Sequence, residues 1–335
     1  MDPILDISSL AAIVPNDGGS PSAYGGGKDA GSPDPGSPPM AGEGSFAALL
    51  PEALAYRFAG FLGSTFVRMS KRRQEYGLRM LRNAYPDETD EAKLLRLARL
   101  GAGNLFKVSL DMVRVGPAVA SGRFSDCIDM SELVEAGLEP PWFGVTGHLG
   151  SWECGAMGVG ALGQAEAHVT ARLMKNPLVQ TWLGESRRRG GLVIHDRRGG
   201  IRGVARALEQ GQIAMQVTDQ NQRLRGLFVP FFGELASTER AAATLAVRKG
   251  YPFLVAAAVR TGNGFRFKFV VQDILEPKNS GDTNEDIRDL VIRMNQSLER
   301  LILRFPEQYL WVHDRYRTRP SEGEAAEGEG TAEKE

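Results

Sequence analysis

Cysteine is scarce in this 335-residue chain: Cys127 and Cys154 are the two present. They supply neither a disulfide framework nor a zinc ligand set, and a reducing, cytoplasm-facing compartment is the expectation. Four histidines are present, without the spacing of a helical metal pair. A Walker A sequence and a G-x-S-x-G elbow are both missing, which argues against P-loop nucleotide chemistry and elbow-type serine hydrolysis. No long uncharged apolar run occurs either. The most apolar opening stretch, 46–69, contains Glu52 and Arg57, inside the ~20 residues that would have to cross hydrocarbon. The first charges are acidic and no basic segment leads into an apolar one, so a secretory signal is not expected.

Net charge is nearly absent too, at -1, but it is unevenly spread. Residues 1–45 carry -5, residues 320–335 carry another -5, and 46–319 are left with +9. The first 45 residues hold seven of the 18 prolines, with runs such as Gly25-Gly26-Gly27 and Ser37-Pro38-Pro39. Such a segment buries too little apolar area to offset its backbone entropy. The reading is a disordered Gly/Ser/Pro-rich tail at 1–45, a folded domain at 46–320, and a disordered acidic tail at 321–335. The folded part is long enough for one large domain with an ample core.

Within 46–69, Leu54, Phe58, Phe61, Leu62, Thr65, Phe66 and Met69 fall at helical spacing and make one broad apolar stripe. Arg57 and Arg68 edge it, where long basic side chains snorkel toward lipid phosphates, and the basic knot Lys71-Arg72-Arg73 follows. Residues 46–73 therefore read as a membrane-surface helix, with a core-packing helix as the alternative. Helical patterning runs over 74–115, broken at Tyr85-Pro86-Asp87. Beyond it, strands at 142–147, 167–171, 191–195, 212–218, 252–259 and 265–271 alternate with helices at 151–162, 176–189, 200–209, 237–249 and 284–305. This predicts an α/β fold, a mixed central sheet flanked by helices.

Gly158-Val159-Gly160-Ala161-Leu162-Gly163 matches the dinucleotide fingerprint, but it closes a predicted helix instead of opening one. Close helix–sheet packing is the better reading. His168 and His195 lie in predicted strands among apolar neighbours and read as structural. His148 differs: it follows a strand, in Gly147-His148-Leu149-Gly150-Ser151-Trp152-Glu153, where open α/β sheets place ligands. The five-residue step spans the turn and brings Glu153 back toward the imidazole, fixing its tautomer and strengthening it as a base. Gly147 and Gly150 would let a substrate approach closely. Asp219-Gln220-Asn221 leaves polar groups at another strand end. The segment 226–233 reads as an aromatic loop whose Phe228, Phe231 and Phe232 are either plain core or the lining of a slot for an alkyl chain. Near the end, Arg315, Arg317 and Arg319 stand beside aromatics, and arginine suits phosphate oxygens.

In order, His148-x4-Glu153, Arg172-Leu173-Met174-Lys175-Asn176-Pro177, Asp219-Gln220, Phe228-Val229-Pro230-Phe231-Phe232-Gly233 and Pro306-Glu307-Gln308-Tyr309-Leu310-Trp311 resemble the bacterial lipid A late acyltransferases. These belong to the wider glycerolipid and lysophospholipid acyltransferase superfamily. The likeness runs from about Phe46 to Pro320. It implies acyl transfer from a thioester, of acyl carrier protein or coenzyme A, to a hydroxyl of a phosphorylated lipid acceptor. It also implies work at the cytoplasmic face of an inner membrane with an anionic surface, peripheral or monotopic. No cofactor, metal or nucleic-acid partner is implied. By position His148 would be the general base and Glu153 its polarising carboxylate. Arg172 would stabilise an oxyanion or hold phosphate, and Asn176, Asp219, Gln220, Phe228, Phe231, Phe232 and Arg315 would contribute to substrate binding. Gly147 departs from the family's usual Asn. The acceptor stays open among a lipid A precursor, a phosphatidylinositol mannoside and another lysolipid. Outside this chemistry stand a hydrolase using the same base on water and a non-catalytic binder of anionic lipid or nucleic acid.

Overall fold

The computed structural model describes residues 51–171, 176–196 and 199–322. The expected tails, apart from Ser321 and Glu322, lie outside the described residues, as do Arg172 and the Arg197-Arg198 pair.

Three helices open the domain: α1 (Glu52–Met69), α2 (Lys71–Ala84) and α3 (Glu91–Ala120). Their boundaries follow from capping. Ser70 accepts from the Arg73 amide to start α2, and Asp90 accepts from the Ala92 amide at 2.9 Å to start α3. Pro86, which lacks an amide hydrogen, lies in the break between them. The first helix is two-faced. Ala55, Tyr56, Ala59, Gly63 and Val67 are buried, and Asp111 of α3 accepts a 2.7 Å hydrogen bond from the Tyr56 hydroxyl. The opposite face leaves Leu54, Phe58, Phe61 and Met69 between 51% and 82% exposed. Of the sequence-read stripe, Phe66 alone turns inward to pack against the core.

The α/β part follows as β1 (Ile128–Asp129), α4 (Ser131–Glu135), β2 (Phe143–Thr146), α5 (Trp152–Leu162), β3 (Ala167–Ala171), α6 (Pro177–Arg189), β4 (Leu192–Asp196), α7 (Ile201–Glu209) and β5 (Ile213–Val217). A hairpin, β6 (Leu227–Phe231) and β7 (Glu234–Thr238), precedes α8 (Ala241–Lys249), β8 (Phe253–Arg260), β9 (Phe267–Leu275) and α9 (Thr283–Arg304). The main sheet has seven strands in the order β1-β9-β8-β2-β5-β3-β4. All pairings are parallel except β8 with β9, so the sheet is mixed, as the alternation predicted. One hydrophobic cluster packs each face. Phe143, Val145 and Ala214 point to one side; Trp142, Ile213 and Leu254 point to the other, beneath α5.

Two sequence expectations are corrected here. Residues 226–233 are no loop: Phe231 and Glu234 pair across a two-residue turn made by Phe232 (φ 48) and Gly233 (φ 74). Two consecutive positive φ values make the hairpin turn that matches strand twist. Phe at a left-handed position and Pro230 inside a strand both disguise it. Ser237 and Thr238 belong to that hairpin, and the helix after it begins at Ala241. The glycine-rich run does lie within and cap α5: a Cβ on Gly160 would sit 2.4 Å from the Gly190 carbonyl. Packing accounts for that glycine.

Candidate active site

The register of two neighbouring parallel strands builds the site. Thr146 of β2 is paired with Val217 of β5, and two residues beyond each stand His148 and Asp219. Chain direction reverses around this pair: β2 leads by way of α5 to β3, beyond β5, while the segment after β5 leads to β8 on the other side of β2. Such switch points open a crevice at the strand carboxyl ends.

Asp219 is buried and holds His148 twice. Its Oδ1 lies 2.7 Å from the imidazole Nδ1, and its Oδ2 accepts the His148 backbone amide at 2.7 Å. Buried Tyr309 stands beside it, and burial together with the Asp219 charge pushes the Tyr309 pKa up. Burial pushes the Asp219 pKa up, but the imidazole charge and the two hydrogen bonds to His148 outweigh it, and the net shift is downward. An ionised Asp219 fixes the proton on Nδ1 and leaves the Nε2 lone pair facing the crevice. There Nε2 meets the side-chain amide of Gln220 at 3.2 Å. Trp152 packs its ring edge-on to the imidazole, 4.8 Å between centroids.

This corrects the assignment of Glu153. The residue opens α5, and the helix carries its carboxylate away from His148 into a bidentate ion pair with Arg187 of α6. Both partners are buried. The carboxylate on the imidazole is Asp219. Gly147 and Gly150 also serve the protein's own packing: a Cβ on Gly147 would lie 3.2 Å from Asp219 Oδ2, and one on Gly150 (φ 60) would lie 2.0 Å from the Ala258 carbonyl. From the opposite side, buried Asn104 of α3 donates to the Gly150 carbonyl at 2.7 Å and to the Gln308 carbonyl at 3.0 Å. The loop carrying His148 is therefore braced from three directions.

A cavity of about 380 Å³ opens beside His148, within the ~300–1,000 Å³ range of small-molecule sites. Its apolar part includes Leu105, Met112, Trp142, Trp152, Met215 and Leu254, with Glu153 and Arg187 in the wall; Arg73, Gln220, Gln222, Glu239 and His313 contribute polar groups. Arg73 belongs to the basic knot and donates to the Val312 carbonyl at 3.0 Å. His313 Nε2 accepts the Asn221 amide at 3.2 Å, and burial pushes its pKa down to about 4.

The other described residues selected from the sequence do not line the cavity. Phe228, Phe231 and Phe232 are buried in the hairpin and do not line it. Phe231 and Phe232 pack with Trp311 and Tyr309 in the core, and the core alternative holds for them. Arg315 is buried rather than offered to phosphate: it donates to the Ser237 carbonyl and Thr238 hydroxyl and stacks over Phe231. Asn176 is exposed and accepts from the Leu178 amide at 3.0 Å, opening α6. Arg172 lies outside the described residues. His168 and His195 stack and share a 2.9 Å hydrogen bond across β3 and β4, a structural pairing.

Sequence reading missed Arg187, Tyr309 and Asn104. Each becomes visible once strand order is known, because each reaches the loop or its carboxylates from a distant segment. Arg187 opens the run Arg187-Arg188-Arg189, whose other two members lie outside, both pairing with Glu185.

The family model described as bacterial lipid A biosynthesis acyltransferase matches residues 41–318. The chain is 26% identical over 282 residues to the lipid A biosynthesis lauroyltransferase of Escherichia coli K12, covering 81% of this chain and 88% of that one. It is 26% identical over 281 residues to the lipid A biosynthesis palmitoleoyltransferase of the same strain, covering 80% and 87%. A lipid A biosynthesis acyltransferase of Shigella flexneri matches to the same extent. With the match spanning the α/β fold and the histidine loop at its switch point, this chain belongs to the bacterial lipid A biosynthesis acyltransferase family.

Proposed function

We propose that the protein transfers a fatty acyl chain from an acyl thioester to a hydroxyl of a lipid A precursor or similar glycolipid, with His148 as general base and Asp219 as its orienting carboxylate. The observation that carries this reading is the buried Asp219–His148 pair beside a largely apolar cavity, in a chain of this family. The acyl chain lies along the apolar part of the cavity with its thioester carbonyl near His148. His148 Nε2 takes the acceptor proton as the hydroxyl oxygen bonds to the acyl carbon. Asp219 stabilises the imidazolium that forms. Collapse of the tetrahedral intermediate breaks the carbon–sulfur bond, and the imidazolium returns the proton to the leaving thiolate. The acceptor attacks directly, without an acyl-enzyme.

The donor is proposed to be the thioester of acyl carrier protein, and the place of work the cytoplasmic face of the inner membrane. Among the described residues no helix is long and apolar enough to cross a membrane. The exposed face of α1, with Leu54, Phe58, Phe61, Leu62 and Met69 outward, supports a helix lying in the interface instead. Arg57 and Arg68, both exposed on the same helix, suit lipid phosphates.

Purified protein is tested on acyl carrier protein and coenzyme A thioesters with an under-acylated lipid A precursor. His148→Ala is expected to lower transfer at least a hundredfold, at the lower end of general-base contributions of ~10²–10⁴, with the fold intact. Full activity in that variant refutes the reading. Lipid mass spectrometry of cells with and without the protein identifies the acceptor and chain: a lost secondary acyl group on lipid A supports the proposal, and a change confined to another lipid contradicts the lipid A acceptor.

A further inference from the structure

Gln220 stands where the reaction would have to happen. Its amide nitrogen is 3.2 Å from His148 Nε2, the lone pair that Asp219 turns toward the crevice. Its backbone cannot follow a side-chain motion easily, because both neighbours are tied down. Asp219 holds His148. Asn221 donates its amide to His313 Nε2 at 3.2 Å, and its side chain exchanges two 3.0 Å hydrogen bonds with Thr318. Between them the Gln220 side chain is half-buried and lines the cavity.

We infer that Gln220 is a catalytic residue that caps the base until an acceptor displaces it, and so discriminates a lipid hydroxyl from water. This rests on the acyl-transfer reading above and goes beyond it. A water arriving at Nε2 trades one hydrogen bond for another and gains nothing to drive the amide aside. A lipid acceptor brings binding energy from its remote parts, which is available for the displacement. The reaction held back is thioester hydrolysis. In it the water oxygen bonds to the acyl carbon and His148 Nε2 takes a water proton. The carbon–sulfur bond breaks with its electron pair on sulfur, and the proton passes to the thiolate, giving fatty acid and free thiol.

The test measures free thiol and free fatty acid from dodecanoyl acyl carrier protein without acceptor, and acylated product when an under-acylated lipid A precursor is added. Gln220→Leu keeps the volume and removes the donor. Its hydrolysis without acceptor is expected to rise about tenfold over wild type, the scale of losing one hydrogen bond, while transfer does not rise. Hydrolysis that stays level or falls in step with transfer overturns the inference. Gln220→Glu supplies an independent readout should the leucine variant not fold. A carboxylate against Nε2 favours the imidazolium, so the acid limb of the rate–pH profile should move up by about one unit; an unmoved limb overturns the inference. Failure of the underlying reading looks different: wild type that consumes no thioester, or His148→Ala that consumes it at the wild-type rate, removes both proposals. Wild-type transfer that requires His148, with hydrolysis insensitive to Gln220, removes this one alone.

Discussion

At the scale of residues, the proposed chemistry turns on where one proton sits. Asp219 keeps it on Nδ1 of His148 through a 2.7 Å contact, and the backbone bond to the same carboxylate stops the imidazole from sliding along it. Glu153, five residues past the histidine, has a different partner and so a different consequence. Its carboxylate and the Arg187 guanidinium neutralise each other, both buried in the cavity wall. Arg187→Met is therefore expected to strand a buried charge and destabilise the fold by about 3–5 kcal/mol. Denaturant unfolding at pH 7 checks this, and an unchanged midpoint contradicts it. His148 itself was legible in the sequence, because a histidine after a strand and before a helix has a place in open sheets. Its carboxylate was not, because proximity along the chain favoured Glu153 while proximity across the β2–β5 register favoured Asp219.

At the scale of elements, the strand register does the assembling. Pairing Thr146 with Val217 brings two chain segments 71 residues apart into contact at their polar ends. Strand and helix positions through 142–218 were readable from periodicity, since buried parallel strands form short apolar runs between helices. Strand order was not, and with it went the identity of the facing residue. The hairpin β6–β7 was hidden by Pro230 and by Phe232 in a left-handed turn. In α1 the periodicity was plain, yet an apolar stripe on a helix does not say whether protein or lipid covers it. The fold answers in part: α1 buries Ala55, Tyr56, Ala59, Gly63 and Val67 against the domain and leaves Leu54, Phe58, Phe61, Leu62 and Met69 outward. Replacing Leu54, Phe58 and Phe61 together by Ser should lower binding to phosphatidylglycerol-containing vesicles at least tenfold. The midpoint of thermal unfolding should move little, because these side chains are more than half exposed. Undiminished vesicle binding contradicts a surface-lying helix.

At the scale of the whole molecule, the near-neutral total hides a basic domain of +9 between acidic ends. Burial does not remove that excess: Arg187, Arg260 and Arg315 are buried, but so are Asp111, Glu153, Asp219 and Asp286, so the charge offered to a surface is no smaller than the sequence sum. Acid should also loosen the fold through His313. Burial holds it neutral, with a pKa near 4 against an ordinary 6.5. A histidine depressed in the folded state binds its proton more readily when unfolded, so stability is full above 6.5 and falls as pH drops toward 4. The loss approaches about 3 kcal/mol. His313→Gln, which titrates nothing there, should lose less over that window, so its stability relative to wild type should improve as pH falls from 6.5 to 4. A pH-independent difference contradicts this assignment. The proposed orientation of the base by Asp219, reached across the sheet, is tested most directly by the rate at which Asp219→Asn transfers acyl groups to an under-acylated lipid A precursor. At least a hundredfold loss at pH 7.5 with an unchanged fold is expected, in line with ~10²–10⁴ for general-base catalysis; transfer at the wild-type rate would contradict that role for Asp219.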